Sequence, residues 1–357
     1  MVDDAIDAMA TFLRGGGMAN LGGRFAAAHE TDAVTWAARE AVASLLGADP
    51  DGVVFGANTT SLILSLTRWI EPTLRPGDVI LSSQLDHDAN VAPWLHVAAR
   101  SGAEVRLIPV DTSTGRLRDD RLAELLAAGR VRWVAITGAS NVIGTMPDLA
   151  AIAGAAHAAG ARVVVDAVHL VPHVAVDIAA IGCDALLTSA YKWYGPHCGV
   201  LWLSEELRTE LQPVTVRTAP TDPPRRFETG TIPIESLVAL APAARYLAGA
   251  TKPENEVFAP LLEGLLAMPH VTVIGPRDLE RRAPTVAFLV DGSTPDEVAV
   301  ALAAQEIAIW SGHQYALELM KAYDLWDKGG VARAGVVQYT TADDVARLLD
   351  AIQALKP

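Results

Sequence analysis

The chain of 357 residues holds only two cysteines, Cys183 and Cys198. Two cannot build a disulfide framework, and their spacing matches no metal-ligand pattern, so neither a stapled scaffold nor a metal site is expected. No apolar run approaches the roughly 20 residues that a membrane-spanning helix needs. The start, Met1-Val-Asp-Asp-Ala-Ile, lacks the basic stretch and apolar core of a secretory signal, and a cytoplasmic location is expected. Positive charge is also short. Against 42 Asp and Glu stand 28 Lys and Arg, a net charge of −14. That disfavours nucleic acid and anionic membranes as partners while leaving room for a local basic pocket. No internal repeat or low-complexity tract is present. What remains, 51% hydrophobic and 20% charged residues, is the composition of a folded globular chain. Its length favours two lobes over one core.

From residue 53 to 205 short apolar runs alternate with helical patterns. Strands are expected at 53–55, 78–82, 104–109, 131–136, 162–165, 185–187 and 200–203, with helices at 59–70, 89–100, 119–128 and 148–159. This alternation predicts an α/β fold with a mostly parallel seven-stranded sheet covered on both faces. The proline-dense stretch 217–226 reads as an extended loop. A helix at 234–247 leads towards a smaller α+β unit with strands at 271–274, 285–290, 307–310 and 334–339. Its last helix opens on Thr341-Ala-Asp-Asp344, a capping box. The expected division is 1–30 for an N-terminal helix and glycine-rich loop, 31–245 for the large unit and 246–357 for the small one.

Ligands in such sheets bind outside the carboxyl ends of the strands. Asn58, His87, Asn141, Asp166 and Lys192 each fall just past an apolar run. Lys192 ends a buried strand, where its charged form is desolvated and therefore expensive. Asp166 ends another. A strand-end aspartate followed by a strand-end lysine meets the needs of pyridoxal phosphate. The lysine forms a Schiff base, and the carboxylate keeps the pyridine nitrogen protonated so that the ring accepts electrons. The segment Phe55-Gly-Ala-Asn-Thr-Thr-Ser61 opens a helix whose free N–H groups suit a phosphate, although an ordinary Asn/Thr cap reads the same way. His87 is placed to stack on a ring or shuttle protons, or is a solvated loop histidine. Asn141 is either a turn former or an amide within reach of a phenolic oxygen.

Taken in order, Asp-His-Asp-Ala-Asn (86–90), Ser-Asn-Val-Ile-Gly-Thr (140–145), Val-Asp-Ala-Val-His (165–169), Ser-Ala-Tyr-Lys-Trp-Tyr-Gly-Pro (189–196), Phe-Glu-Thr-Gly-Thr (227–231) and Val-Ala-Arg…Tyr-Thr-Thr (331–341) resemble the class V aminotransferase family, cysteine desulfurase-like branch. The likeness covers nearly the whole chain. It implies fold type I, pyridoxal phosphate as cofactor, a small amino-acid substrate and a homodimer with shared active sites. It implies Lys192 as the Schiff-base lysine, Asp166 beside the pyridine nitrogen and His87 stacked over the ring. Asn141 and His169 would lie near the phenolic oxygen, the family usually having glutamine at the latter position. Asn58, Thr59 and Ser189 would hold the phosphate, helped by Tyr191 where many relatives carry histidine. Thr231 would reach the phosphate of the other subunit, and Arg333 would grip the substrate carboxylate.

Two departures bear on the reaction. Cysteine desulfurases carry a nucleophilic cysteine in an Arg-x-Gly-His-x-Cys context. The matching stretch here is Trp310-Ser-Gly-His-Gln-Tyr315, and a phenol cannot carry a persulfide. Cys183 and Cys198 read as buried structural thiols. The other departure is the start, where Gly15-Gly-Gly-Met-Ala-Asn-Leu-Gly-Gly-Arg24 offers either an active-site flap or a flexible link, with Asn20 and Arg24 as candidate substrate contacts. The expected reaction is β-elimination of a sulfur group from a small L-amino acid, a C–S lyase reaction, with His87, His313 and Tyr315 as candidate acids. Transamination, epimerisation and decarboxylative chemistry share the same early steps. A desulfurase using a cysteine from elsewhere and a catalytically inactive scaffold stay open as weaker readings.

Overall fold

The structure, a computed structural model, describes residues 1–15, 20–250 and 254–355. Its strands are β1 (Val53–Gly56), β2 (Val79–Ser83), β3 (Glu104–Ile108), β4 (Val110–Asp111), β5 (Arg116–Leu117), β6 (Val131–Thr137), β7 (Arg162–Asp166), β8 (Ala185–Ser189), β9 (Gly199–Leu203), β10 (Val271–Ile274), β11 (Thr285–Val290), β12 (Trp310–Gly312) and β13 (Val331–Gly335). Continuous apolar runs make strands buried on both faces. In β7, Val163 and Val165 enter one hydrophobic cluster and Val164 the other; in β9, Val200 and Trp202 oppose Leu201 and Leu203 in the same way. The large sheet has the order β1-β9-β8-β7-β6-β2-β3. Pairing is parallel from β3 through β8, while β9 runs antiparallel to both β8 and β1. Hence β1, β2, β6, β7 and β8 all end at one edge.

Helices α1 (Asp3–Arg14), α2 (Ala26–Leu46), α3 (Thr59–Ile70), α4 (Ala92–Ser101), α5 (Asp119–Ala127) and α6 (Leu149–Ala158) belong with this sheet. The face bearing α2 and α6 is packed by Val42, Leu46, Ile152 and Ala156, and the opposite face by Leu62, Leu66, Trp94 and Val97 of α3 and α4. A second, antiparallel sheet, β10-β11-β13-β12, has its own core with the helices Glu254–Ala267, Pro295–Ala303 and Ala342–Gln353. The two units meet across a fourth cluster that joins Leu85, Val142 and Ile143 to Ala287, Leu319, Met320 and Val331. That contact sets β13 against the carboxyl edge of the large sheet. Among the described residues, no helix is long and apolar enough to cross a membrane.

Several boundaries differ from the sequence-based expectation, for local reasons. The division after residue 30 falls inside α2, a single helix whose Thr31, Thr35, Ala38 and Val42 form one buried face. The division after 245 falls inside the helix Leu240–Ala248, which packs on α2, so the change of core comes later, before Val257. The helix expected over 89–100 begins at Ala92, after a 3-10 turn at Asp88–Asn90, because Pro93 has no N–H and sits well in a first turn. Pro242 breaks the expected 234–247 helix in two for the same reason. In the small sheet the strands shift to Trp310–Gly312 and Val331–Gly335, paired Trp310 to Arg333. Thr341 does close the last helix in a capping box with Asp344.

One buried ion pair ties this unit together. Arg39 of α2 meets Glu228 at 2.8 Å, with side chains 3% and 4% exposed. Glu228 also accepts the Phe55 N–H at 2.9 Å, Arg39 donates to the Val53 carbonyl, and its guanidinium lies 4.9 Å from the Phe55 ring. Every charge is thus satisfied, which is the condition for burying a pair. Removing one partner strands the other in low dielectric. Arg39→Met is expected to destabilise the fold by roughly 3–5 kcal/mol. In urea denaturation the double variant with Glu228→Gln should lose clearly less than the sum of the two single losses.

Candidate active site

Five strand ends deliver side chains to one cavity of ≈ 680 Å³. After β1, Asn58 caps α3 by accepting the Ser61 N–H at 2.9 Å, while the Thr59 N–H and hydroxyl both contact the Ser189 hydroxyl, at 3.1 and 2.8 Å. Strand β9 must pass this turn closely. A Cβ on Gly199 would lie 2.5 Å from the Asn58 carbonyl carbon, so only glycine leaves the helix start in place. After β2 comes Asp86, 1% exposed, which accepts from the Ser83 N–H and hydroxyl and from Asn90 Nδ2 and so fixes the turn that presents His87. After β6, Asn141 donates to the Gln314 carbonyl at 2.8 Å, and its Oδ1 is buried without a partner. β7 ends in Asp166, which accepts the Val168 N–H at 3.0 Å, and β8 leads into the 3-10 turn that carries Lys192.

Charge in this cavity is poorly compensated. Among the described residues neither Lys192 nor Arg333 has a carboxylate within ion-pair distance; Arg333 donates to the Asn141 carbonyl at 2.7 Å instead. Burial, then the nearby Arg333, lowers the Lys192 ammonium from its usual range, with Asp166 opposing. Burial pushes Asp166 up to about 6, against the pull of the Val168 N–H and Lys192. His87 falls to about 4 through burial and the two cations. Asp86 rises to about 8, chiefly by burial. A cavity with two unpaired cations, a buried carboxylate at a strand end and an orphaned amide oxygen is built for an anionic, polar guest.

The mouth is formed by the turn between β12 and the helix Leu317–Ala322. Gln314 and Tyr315 both take left-handed backbone conformations, φ 52° and 56°. The strained turn is held by Asn141 on Gln314, by the Asp88 N–H on the Tyr315 carbonyl at 2.7 Å, and by His313 Nδ1 accepting the Tyr315 N–H at 2.9 Å. Its base depends on Gly330, at φ 78°, whose missing Cβ would clash with the Gly312 carbonyl. The Tyr315 ring stacks on His87 with centroids 5.4 Å apart.

Comparison with known proteins agrees with this site. The family model for aminotransferase class-V matches residues 2–348. The chain belongs to that family. A cysteine desulfurase of Klebsiella pneumoniae is 34% identical, with 98% of this chain and 89% of that one aligned. The aminotransferase-like protein FGM3 of Gibberella zeae is 30% identical over 93% and 86%. Among solved structures, the apo cysteine desulfurase of Thermococcus onnurineus superposes with a TM-score of 0.92 at 26% identity, covering 98% of this chain and 90% of the other. The fold is therefore the fold type I of pyridoxal-phosphate enzymes, and the chain is such an enzyme.

Around the cavity the class V chain gathers Asn58, Thr59, His87, Asn141, Asp166, His169, Ser189, Tyr191, Lys192, Tyr315 and Arg333. Tyr191 stacks on His197 and lies 5.5 Å below the Lys192 amine. Other expected contacts are not there. Asn20 is exposed and spends its Oδ1 on the Leu21 N–H, and Gly16–Ala19 of the glycine-rich stretch lie outside the described residues. His313 points outward against Trp326, because successive left-handed residues turn buried Gln314 inward in its place. Thr231, expected to serve the other subunit rather than its own, is exposed and away from this cavity, as that role requires. Sequence reasoning missed Gln314, which carries no motif, and Asp86, whose burial no local pattern announces. The raised Asp86 yields a pH signature. Its protonated form is favoured on folding, so the stability it supports is full below about pH 4 and is lost as pH climbs through about 8. Asp86→Asn should flatten the decline of unfolding free energy across that window in urea titrations.

Proposed function

We propose that this class V enzyme acts on a small L-amino acid bearing sulfur on Cβ, releasing it by β-elimination as a thiol, with pyruvate and ammonia as the other products. What supports this most is a catalytic cavity without a thiol. Cys183 and Cys198 are the chain's two cysteines, both buried in the large core, and burial pushes each up to about 12. A protonated, inaccessible sulfur cannot accept a sulfur atom from a substrate. The position where desulfurases place that cysteine holds Tyr315.

The residues present fit pyridoxal phosphate: an unpaired lysine, a buried strand-end carboxylate and an orphaned amide oxygen face one cavity. When bound, the cofactor supplies an electron sink that eases breakage of the Cα–H bond. Lys192 would hold it through Nζ and, with that amine free, would take the Cα proton of the substrate, a task suited to an amine whose charged form is disfavoured by burial. Asp166, a carboxylate above about pH 6, holds the proton on the pyridine nitrogen. His87, neutral, offers an uncharged face for stacking. Asn58, Thr59, Ser189 and Tyr191 would hold the phosphate, Asn141 and His169 would serve the phenolic oxygen, and Arg333 would bind the substrate carboxylate in a bidentate pair. Tyr315, stacked on His87 at the mouth, gives its hydroxyl proton to the departing sulfur. Exposed Thr231 serves a second copy of the chain, which makes the enzyme a homodimer, and we place it in the cytoplasm.

A second reading, cysteine desulfurase, is favoured by the names of the relatives and would need a cysteine from another protein or subunit. Purified enzyme loaded with cofactor should show a visible absorbance band that Lys192→Ala removes, with turnover down at least about 10³-fold, the scale expected for loss of a positioned general base. Arg333→Ala should raise KM for the amino acid more than it lowers kcat. With L-cysteine or S-alkyl cysteines, pyruvate and thiol are expected. Alanine with a persulfide instead would sink the lyase reading.

A further inference from the structure

His169 stands at the cavity wall where it lines the same space as Lys192 and Arg333, and its Nε2 lies 2.9 Å from the Thr285 hydroxyl of β11. Behind it, one turn along the chain, is His173. The two rings meet edge to face with centroids 5.0 Å apart. His173 Nδ1 is in turn 2.7 Å from Glu254 Oε2, and these side chains are only 5% and 6% exposed. The other carboxylate oxygen of Glu254 is buried with no partner. A buried acid reaching from the start of the helix Glu254–Ala267 to a second-rank histidine is costly unless the pair holds a proton for a purpose.

We propose that His173 and Glu254 are a positioning pair that acts through His169, keeping it a neutral, singly protonated imidazole at the wall of the Lys192 cavity. Glu254 accepts the Nδ1–H of His173, which fixes the tautomer of that ring and its orientation against His169. The other charged and titratable groups around them act the same way or stand off. Lys192 and Arg333 face His169 from the cavity, Arg281 and Arg282 border the cleft shared by His173 and Glu254, and Tyr194 lies near Glu254. In line with this, burial first and then His173, Lys192 and Arg333 hold His169 well below the usual imidazole range. A neutral imidazole has one donor and one lone pair. With Nε2 engaged by Thr285, a neutral His169 keeps one further donor or acceptor, where a charged ring would offer only donors like those of Lys192 and Arg333.

The inference rests on the Lys192 cavity being the reaction site, but its first test does not. In the full-length chain labelled with ¹⁵N-histidine, the His173 Nδ1–H should appear far downfield, vanish in Glu254→Gln and return in Glu254→Asp. His169 should stay neutral through about pH 5–8 in the wild type, and in His173→Gln its protonation should move to higher pH than in the wild type. A downfield proton untouched by Glu254→Gln, or His169 titrating alike with and without His173, overturns the pair. In turnover, Glu254→Gln should lower kcat about tenfold with KM unchanged and shift the pH profile, with Glu254→Asp restoring most of it. Loss of kcat in step with cofactor content, and no change in the pH profile, would mean a structural role only. A wild type that turns over no amino acid would refute the proposed reaction, while the histidine spectra would still decide for or against the pair.

Discussion

Two cations, Lys192 and Arg333, are held in one cavity with no carboxylate of the described residues at ion-pair distance, and most of the site is arranged around that uncompensated charge. After burial, the larger cause, it lowers His87 and His169 further, and Lys192 pulls against the rise that burial imposes on Asp166. The cations come from different units, Lys192 from the turn after β8 and Arg333 from β13. They are brought together only because the cluster of Leu85, Val142, Ile143, Leu319 and Val331 seats one sheet on the carboxyl edge of the other. Repulsion between them is thus opposed by apolar contact some distance away.

The parts of the fold with strong periodicity were legible in the sequence. All seven strands of the large sheet were expected within a few residues, because the buried ones read as nearly unbroken apolar runs and the part-buried edge strand β3 still alternates apolar with polar. The strand-end placement of Asn58, His87, Asn141, Asp166 and Lys192 followed from that alone. Failures came where tertiary contact outweighs local pattern. Nothing in the run 307–310 tells that pairing starts at Trp310, since the register is set by Arg333 across the strand. His313 was expected inward and Gln314 was not considered, because consecutive left-handed residues reverse the usual alternation. The pairing of His173 with Glu254 joins positions 81 residues apart and has no sequence signal at all.

The mouth of the cavity bears most directly on reaction type. Asn141, Asp88 and His313 together fix a turn that would otherwise be unfavourable, so Tyr315 is presented over His87 in one arrangement. A residue that must swing between a substrate and a remote acceptor would be ill served by such anchoring. A proton donor that acts in place would be well served. The same anchoring engages one of the two N–H donors of Asn141 and leaves its buried oxygen without a protein partner.

Gly330 gives the turn a different kind of importance. Because the chain crosses beneath Gly312 with no side chain between, the foundation of the 313–315 segment is backbone on backbone. The position of the tip is therefore set by main chain alone, and a side chain at 330 would displace all three residues above it at once.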